Sequence, residues 1–279
     1  KLIAASILGV PDKNALFYTA SSNGPGQTVS GEGPKTFQIL IHSLLNYGHF
    51  DRAYHLISKN INDVQTETVI DAIRELDKRE QSLESLRLFN LISDRKDFSM
   101  TRETAEYAFP LRYEEEVRRF ARIEEVDVAV FYGLMRQESL FSPDIVSYAG
   151  AVGLSQLMPD TAADMARRMG IDDSYDLTDP ATNISIGTRY LNWLNGRFTG
   201  TLYALSAYNA GQSRVKEWIR RYGSDFPRPL FAEAIPFSET RGYVKKCIIA
   251  SVYYGCLYEG RGLREAVEKF FPDLPDLSD

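Results

Sequence analysis

The sequence predicts an all-α chain in two helical parts, and three observations carry that expectation. Apolar residues recur at three- and four-residue intervals along most of the chain, strict alternation never extends beyond a few residues, and Gly, Pro, Asn and Asp punctuate the periodic stretches. The length of 279 residues suffices for one large domain or two modest ones, and 44% hydrophobic with 25% charged residues is ordinary for a folded protein in water. The boundary is expected near Pro110, dividing a solenoid-like helical region, 1–115, from a second domain, 116–279.

In chain order, residues 2–10 are apolar and stop at Pro11. They fall far short of the roughly 20 residues of a membrane-spanning helix and read as a packed segment. Residues 19–36 are dense in Gly, Ser and Pro and read as a long loop. From Phe37 the pattern turns helical, with Leu40, Ile41, Leu44 and Leu45 on one face; Gly48 breaks it before a second stretch at 51–61. Helices at 67–78 and 82–92 form a second pair, about thirty residues on, the spacing of stacked two-helix repeats. A charged helix is expected at 113–122, then helices at 126–141, 160–169, 183–197, 201–209, 212–222 and 239–258.

Composition excludes several function classes. With 32 Lys and Arg against 38 Asp and Glu, the net charge of −6 has the wrong sign for gripping nucleic acid through bulk charge. Cys247 and Cys256 lie on one expected helix, which separates them by roughly 13 Å, beyond disulfide reach. No cysteine pair has zinc spacing, and His42, His49 and His55 lie far from any acidic cluster, so neither a metal nor a cofactor is expected.

The segment VDVAVFYGLMRQESLF, 126–141, places Val130, Leu134 and Glu138 on one helix face. A carboxyl on a buried stripe is expensive to ionise, so Glu138 is expected to hold its proton near neutral pH, as a general acid must. Periodicity alone equally allows a partly exposed helix-end carboxylate. Ser142-Pro143 is expected to end the helix, because the residue before proline is driven out of the α region. Residues 147–159 follow, rich in small side chains that let backbone approach a bulky ligand, with Gln156 able both to donate and to accept. Tyr208 and Asn209 pair a ring with an amide before Gly211, a combination suited to carbohydrate. Ser147 taken alone reads as a turn cap, Glu239 as a first-turn carboxylate behind an N-cap Ser238, and Tyr190 and Trp193, three apart on an apolar helix, as core.

Four stretches in this order, ESLFSPDIVSYAGAVGLSQLMPDTA, NISIGTRYLNWL, SAYNAGQSRV and IPFSETRGYV, together resemble the catalytic domain of the soluble lytic transglycosylases over about residues 120–260. The helical N-terminal part is similar in character to the α-superhelical region that precedes this domain in larger members. The resemblance implies a lysozyme-like domain, peptidoglycan glycan strands as substrate, and a bacterial periplasm or cell envelope. It further implies cleavage of the MurNAc–GlcNAc β-1,4 bond to a 1,6-anhydro end. Matched residue by residue, it makes Glu138 the catalytic acid, with Ser147, Gln156, Tyr208, Asn209, Glu239 and Tyr243 contacting or supporting substrate. The family's GLMQ reads GLSQ here, so Ser155 takes the place of a methionine packed on substrate, with Met158 close enough in sequence to compensate.

The chemistry fits that inventory. A hydrolase needs a second carboxylate, to activate water or to act as nucleophile. A lytic transglycosylase needs one residue: Glu138 protonates the glycosidic oxygen and, as carboxylate, then deprotonates the substrate's own C6 hydroxyl. Two rivals remain at this stage, a catalytically silent peptidoglycan-binding scaffold and a hydrolytic muramidase using Asp144, Asp160 or Glu239 as second acid. The N-terminal helices are available to a protein partner.

Overall fold

The computed structural model describes residues 32–93, 95–172, 174–223 and 225–274. The apolar stretch 2–10 and most of the expected loop 19–36 lie outside the described residues. The chain is all-α, and the described residues contain only two isolated β-bridges, Val146 to Val152 and Val152 to Leu157. It divides into two compact units that meet in sequence between Pro110 and Leu111.

The first unit holds α1 (Glu32–Asn46), α2 (Phe50–Lys59), α3 (Thr66–Lys78), α4 (Ser82–Ile92) and α5 (Arg102–Ala108). Helix α1 begins inside the stretch read as loop, because Glu32 to Thr36 continue the helical turn that Phe37 opens. Helix α1 packs on α2 and α3, and α4 on α2, α3 and α5, so each helix touches the second one along as well as its hairpin partner. Ile41, Leu45, Ile57, Ile73, Leu76, Leu86 and Ile92 are buried between them. Charges stay outside and bridge helices: Arg74 of α3 reaches Asp71 at 2.6 Å and Glu103 of α5 at 2.9 Å. Such half-exposed pairs contribute less than about 1 kcal/mol each, and burial of the apolar stripes supplies most of the stability.

The second unit holds α6 (Glu114–Ile123), α7 (Val128–Ser139), α8 (Pro159–Met169), α9 (Pro180–Asn195), α10 (Thr201–Ala210), α11 (Gln212–Tyr222), α12 (Arg228–Ala234), α13 (Ser238–Tyr258) and α14 (Leu263–Glu268). Helix α13 is central, packing on α7, α10, α12 and α14. Helix α7 has no exposed residue, and α13 buries most of its length while Glu239, Lys246 and Ile249 stay exposed. Their contact is closest at Gly133, where an added Cβ would stand 2.3 Å from Ser251 Oγ and 2.8 Å from the Cys247 carbonyl oxygen. Above it Tyr132 stacks on Tyr254 with ring centroids 4.8 Å apart.

The start of α7 is fixed by Asp127, whose Oδ1 accepts from the N–H groups of Ala129 at 3.0 Å and Val130 at 3.2 Å. Burial opposes ionisation of Asp127, but Arg261, Lys269 and the Val130 N–H outweigh it and hold the carboxyl below its ordinary range. The end of α7 differs from expectation. The helix stops at Ser139, ahead of Ser142-Pro143, because Leu140 and Phe141 both turn left-handed, at φ 49° and 63°. Ser139 Oγ donates to the Met135 and Leu154 carbonyls and accepts from the Phe141 N–H, so a buried hydroxyl closes the helix and ties it to the following segment.

Candidate active site

Glu138 stands in the last turn of α7, partly exposed, and Tyr243 of α13 donates its hydroxyl to Glu138 Oε1 at 2.7 Å. Burial pushes the carboxyl up from 4.5 to about 7, against the Tyr243 hydrogen bond, which favours the charged form and pulls the other way. No carboxylate is among the groups that shift it. Burial likewise raises the Tyr243 phenol well above its ordinary value, so Tyr243 remains the donor of this pair. The two residues are 105 positions apart, and the Gly133 seam between α7 and α13 brings them together.

Segment 145–157 runs from α7 toward α8; its two bridges close it through backbone bonds such as Val152 N–H to the Leu157 carbonyl, and side chains tie it further. Ser147 Oγ accepts from the Ala151 N–H at 2.9 Å, the cap expected of an isolated serine, and the hydroxyl stays half-exposed. Gln156 adopts the left-handed region at φ 47°, which costs about 1–2 kcal/mol for a residue with a Cβ. Its Nε2 compensates by donating to the Ile145 carbonyl at 3.0 Å and the Gly153 carbonyl at 2.9 Å. The amide nitrogen therefore shapes the turn, leaving the amide oxygen as the group for a ligand.

Ser155 requires a correction. It is fully buried, its Oγ donates to Asn183 Oδ1 at 2.6 Å, and it packs against Gly187, where an added Cβ would lie 2.4 Å from Ser155 Oγ. Its side chain cannot touch a ligand in the cleft, because there is room only for a small residue between the turn and α9. Met158, at the N-cap of α8, is 44% exposed and occupies the open position instead.

The residue that sequence reasoning passed over is Asn183, the first of the NISIGTRYLNWL stretch. Completely buried on α9, it donates through Nδ2 to the Val152 carbonyl at 3.0 Å and the Leu177 carbonyl at 2.9 Å. Its Oδ1 accepts from the Ser155 N–H at 2.8 Å as well as from Ser155 Oγ. One amide thus bonds four groups, those of Ser155 fully buried and the two carbonyls partly so. Gly153, at φ +78°, makes this approach possible, since a Cβ there would lie 2.2 Å from Asn183 Nδ2.

A hollow of about 280 Å³ opens beside this segment, lined by Gln156, Met158, Tyr190, Tyr208, Asn209 and Arg214 among others. Tyr208 donates its hydroxyl to the Ser155 carbonyl at 2.8 Å. Burial raises its phenol well above the ordinary value, with the Glu138 carboxylate adding to that, so the hollow lies within electrostatic reach of Glu138. Asn209 is exposed and its Oδ1 accepts from Thr240 Oγ1 of α13 at 2.6 Å. Tyr190 packs on the buried cluster of Leu157, Met165 and Ile186, as expected, and also lines the hollow, its ring centroid 4.9 Å from that of Tyr208. Trp193 is half-buried beside it with Arg197 3.4 Å over its ring. Glu239 is exposed in the first turn of α13, whose N-cap is Phe237 rather than Ser238. Ser147, Glu138, Glu239 and Tyr243 are not among the hollow's walls. Cys247 is buried one turn beyond Tyr243, and both cysteines are free thiols.

Residues 116–229 match the transglycosylase SLT domain. Over 153 residues the chain is 38% identical to the soluble lytic murein transglycosylase of Escherichia coli K12, covering 53% of this chain and 24% of that protein. It is 34% identical to the membrane-bound lytic murein transglycosylase C of Actinobacillus pleuropneumoniae serotype 5b, covering 47% of this chain and 42% of that one. The crystal structure of an inactive mutant of lytic transglycosylase Slt from Pseudomonas aeruginosa superposes with a TM-score of 0.75 at 26% identity, covering 98% of this chain and 43% of that one. The chain thus spans less than half the length of each of these relatives. Residues 116–229 thus carry an SLT domain around a partly buried glutamate, in a chain similar in sequence and structure to soluble lytic transglycosylases.

Proposed function

We propose that the protein is a peptidoglycan lytic transglycosylase acting in the bacterial periplasm or cell envelope. It cleaves the MurNAc–GlcNAc β-1,4 bond without water and leaves 1,6-anhydro-MurNAc ends. The observation that carries this reading is Glu138: a carboxyl raised to about 7 by burial, bonded to a tyrosine, with no second carboxylate acting on it. Held near neutrality, it can give its proton to the glycosidic oxygen and, as carboxylate, take one from the C6 hydroxyl; a group poised near the working pH does both steps best. The Tyr243 hydroxyl holds Oε1 in place and stabilises the carboxylate form between the two steps.

Gln156, Met158, Tyr208 and Asn209 bind the glycan along the hollow, Tyr208 and Met158 as apolar surface and the amides as polar anchors. Ser147 and Glu239 act from outside it, and none of Asp144, Asp160 and Glu239 is hydrogen-bonded to Glu138 or among the groups that shift it. The N-terminal helical region, 1–115, serves as a solenoid-like accessory to this domain and offers a surface to a protein partner.

Mass spectrometry of muropeptides released from purified sacculi tests the reading. Products one water lighter than hydrolysed muropeptides are expected, and Glu138→Gln should lower their release by about 10³-fold, the scale of a lost general acid. Hydrated reducing ends would establish a muramidase, and wall binding without release would establish a silent scaffold.

A further inference from the structure

The hollow's walls are uncharged except at one position. Arg214, at the third position of α11, is exposed on its rim, and no acidic side chain lines it. Its guanidinium is held in place from two sides: Nη1 donates to the Ala210 carbonyl at 2.9 Å, and Cζ lies 5.3 Å from the centroid of the Phe237 ring. Arg241 of this unit likewise donates to a backbone carbonyl, whereas Arg118 bonds Glu114 and Glu259, Arg168 bonds Asp164, and Arg264 bonds Glu268. Among the described residues Arg214 has no such partner, while most of its five N–H donors remain available.

A fixed guanidinium with a free edge is matched by a planar anion with two acceptor oxygens, which it grips bidentately. A neutral disaccharide offers nothing of the kind; its hydroxyls and acetamides are served by Gln156 and Asn209. We infer that Arg214 is a specificity-determining residue that binds a carboxylate carried by the substrate alongside its sugar backbone. In peptidoglycan that carboxylate belongs either to the stem peptides or, where the peptide has been removed, to the lactyl group of MurNAc. The inference rests on the substrate reading above, and selects wall strands over uncharged chitin-like ones.

The test is equilibrium binding of soluble glycan strands by the full chain carrying Glu138→Gln, so that no cleavage intervenes, with and without Arg214→Gln. Four strands are compared: peptide-bearing and amidase-stripped, each before and after its carboxylates are converted to amides with carbodiimide and ammonia. On carboxylate-bearing strands Arg214→Gln should weaken binding about tenfold, the scale of one charge-assisted bidentate contact. On amidated strands the two proteins should bind alike. Amidation alone should weaken binding by the Arg214 protein to a similar extent, a comparison that needs no variant to fold. Arg214→Lys should recover only part of the difference, because an ammonium keeps the charge and loses the fork.

An effect present only on peptide-bearing strands assigns the carboxylate to the stem peptide, and one that persists on stripped strands assigns it to the lactyl group. Equal losses on native and amidated strands, or no loss on either, would overturn the inference and leave Arg214 as a helix-capping residue on Ala210. Failure of the unsubstituted protein to release anhydro ends would count against the proposed reaction while leaving this binding result standing. Failure to bind any strand would overturn both.

Discussion

The two sides of the site solve one problem in opposite ways. On the α7–α13 side, two buried helices meet at Gly133 and polar chemistry is tuned by removing water: Glu138 is raised to about 7 and meets a single hydroxyl. On the side of segment 145–157 the backbone is irregular, and its shape is held by hydrogen bonds from Ser139, Gln156 and Asn183, most of them buried. One side makes a group reactive and the other makes a shape. The first depends on what is absent around the carboxyl, and the second on every partner being present.

The largest expected effect falls on the shape-holding side. Asn183→Ala leaves the Ser155 N–H and the Leu177 carbonyl without their partner, leaves the Val152 carbonyl with the Leu157 N–H alone, and opens a void, which should cost about 4 kcal/mol by denaturant unfolding. A loss under about 1 kcal/mol would mean that water replaces the amide and that the segment is not held from α9. Next, Gly133→Ala drives a methyl group into Ser251 Oγ and the Cys247 carbonyl, and should cost about 2–3 kcal/mol. It should lower the rate on sacculi more than it lowers binding, because it parts Glu138 from Tyr243 and leaves the hollow intact.

A third test sharpens the contrast by reversing its sign. The folded carboxyl of Glu138 takes up its proton at about 7 and the unfolded one at 4.5, so its contribution to stability is full below 4.5 and is lost as pH rises through about 7. Glu138→Gln has no charge to desolvate. It should therefore be the more stable protein at pH 8, by about 2–3 kcal/mol at most, with the gain fading toward pH 4.5. An unchanged difference across that range in thermal melting would show that the carboxyl is hydrated.

The smallest effect is on Tyr243→Phe. Removing a donor to the carboxylate raises Glu138 further, so the alkaline fall of the rate should move upward by about half a pH unit to one unit, with a stability loss of about 1 kcal/mol. A shift toward lower pH would mean that Tyr243 acts on Glu138 through packing alone.

Much of this was legible in the sequence. The stripe of Val130, Leu134 and Glu138 allowed either a buried carboxyl or an exposed helix-end one, and the motifs around it, not the period, favoured the first. Apart from the short α12 and α14, which were not expected, the helices of the second unit occur close to their expected places, and α8 and α9 begin with the signals their sequences carry, Pro159 at N1 and Asp179 accepting from the Thr182 N–H. Position Ser155 was misread for an equally physical reason. Its motif lies on a turn without a period, and the left-handed Gln156 decides which side chains face α9 and which face the hollow. Tyr190 packs on the core as its spacing implied, but spacing on a helix does not tell that the same ring also walls a hollow.

The sequence by itself determined the all-α class, the two-part organisation of the expectation and the choice of Glu138 as the candidate acid, since all three follow from local period, local turn chemistry and short motifs. Only the tertiary structure decided that Tyr243 meets Glu138 across 105 residues, that Gly133 permits it, that Asn183 holds the turn, and that Arg214 stands alone on the rim. Those four depend on which surfaces approach and which polar groups are left over when they do, and neither is encoded in any stretch shorter than the unit that folds.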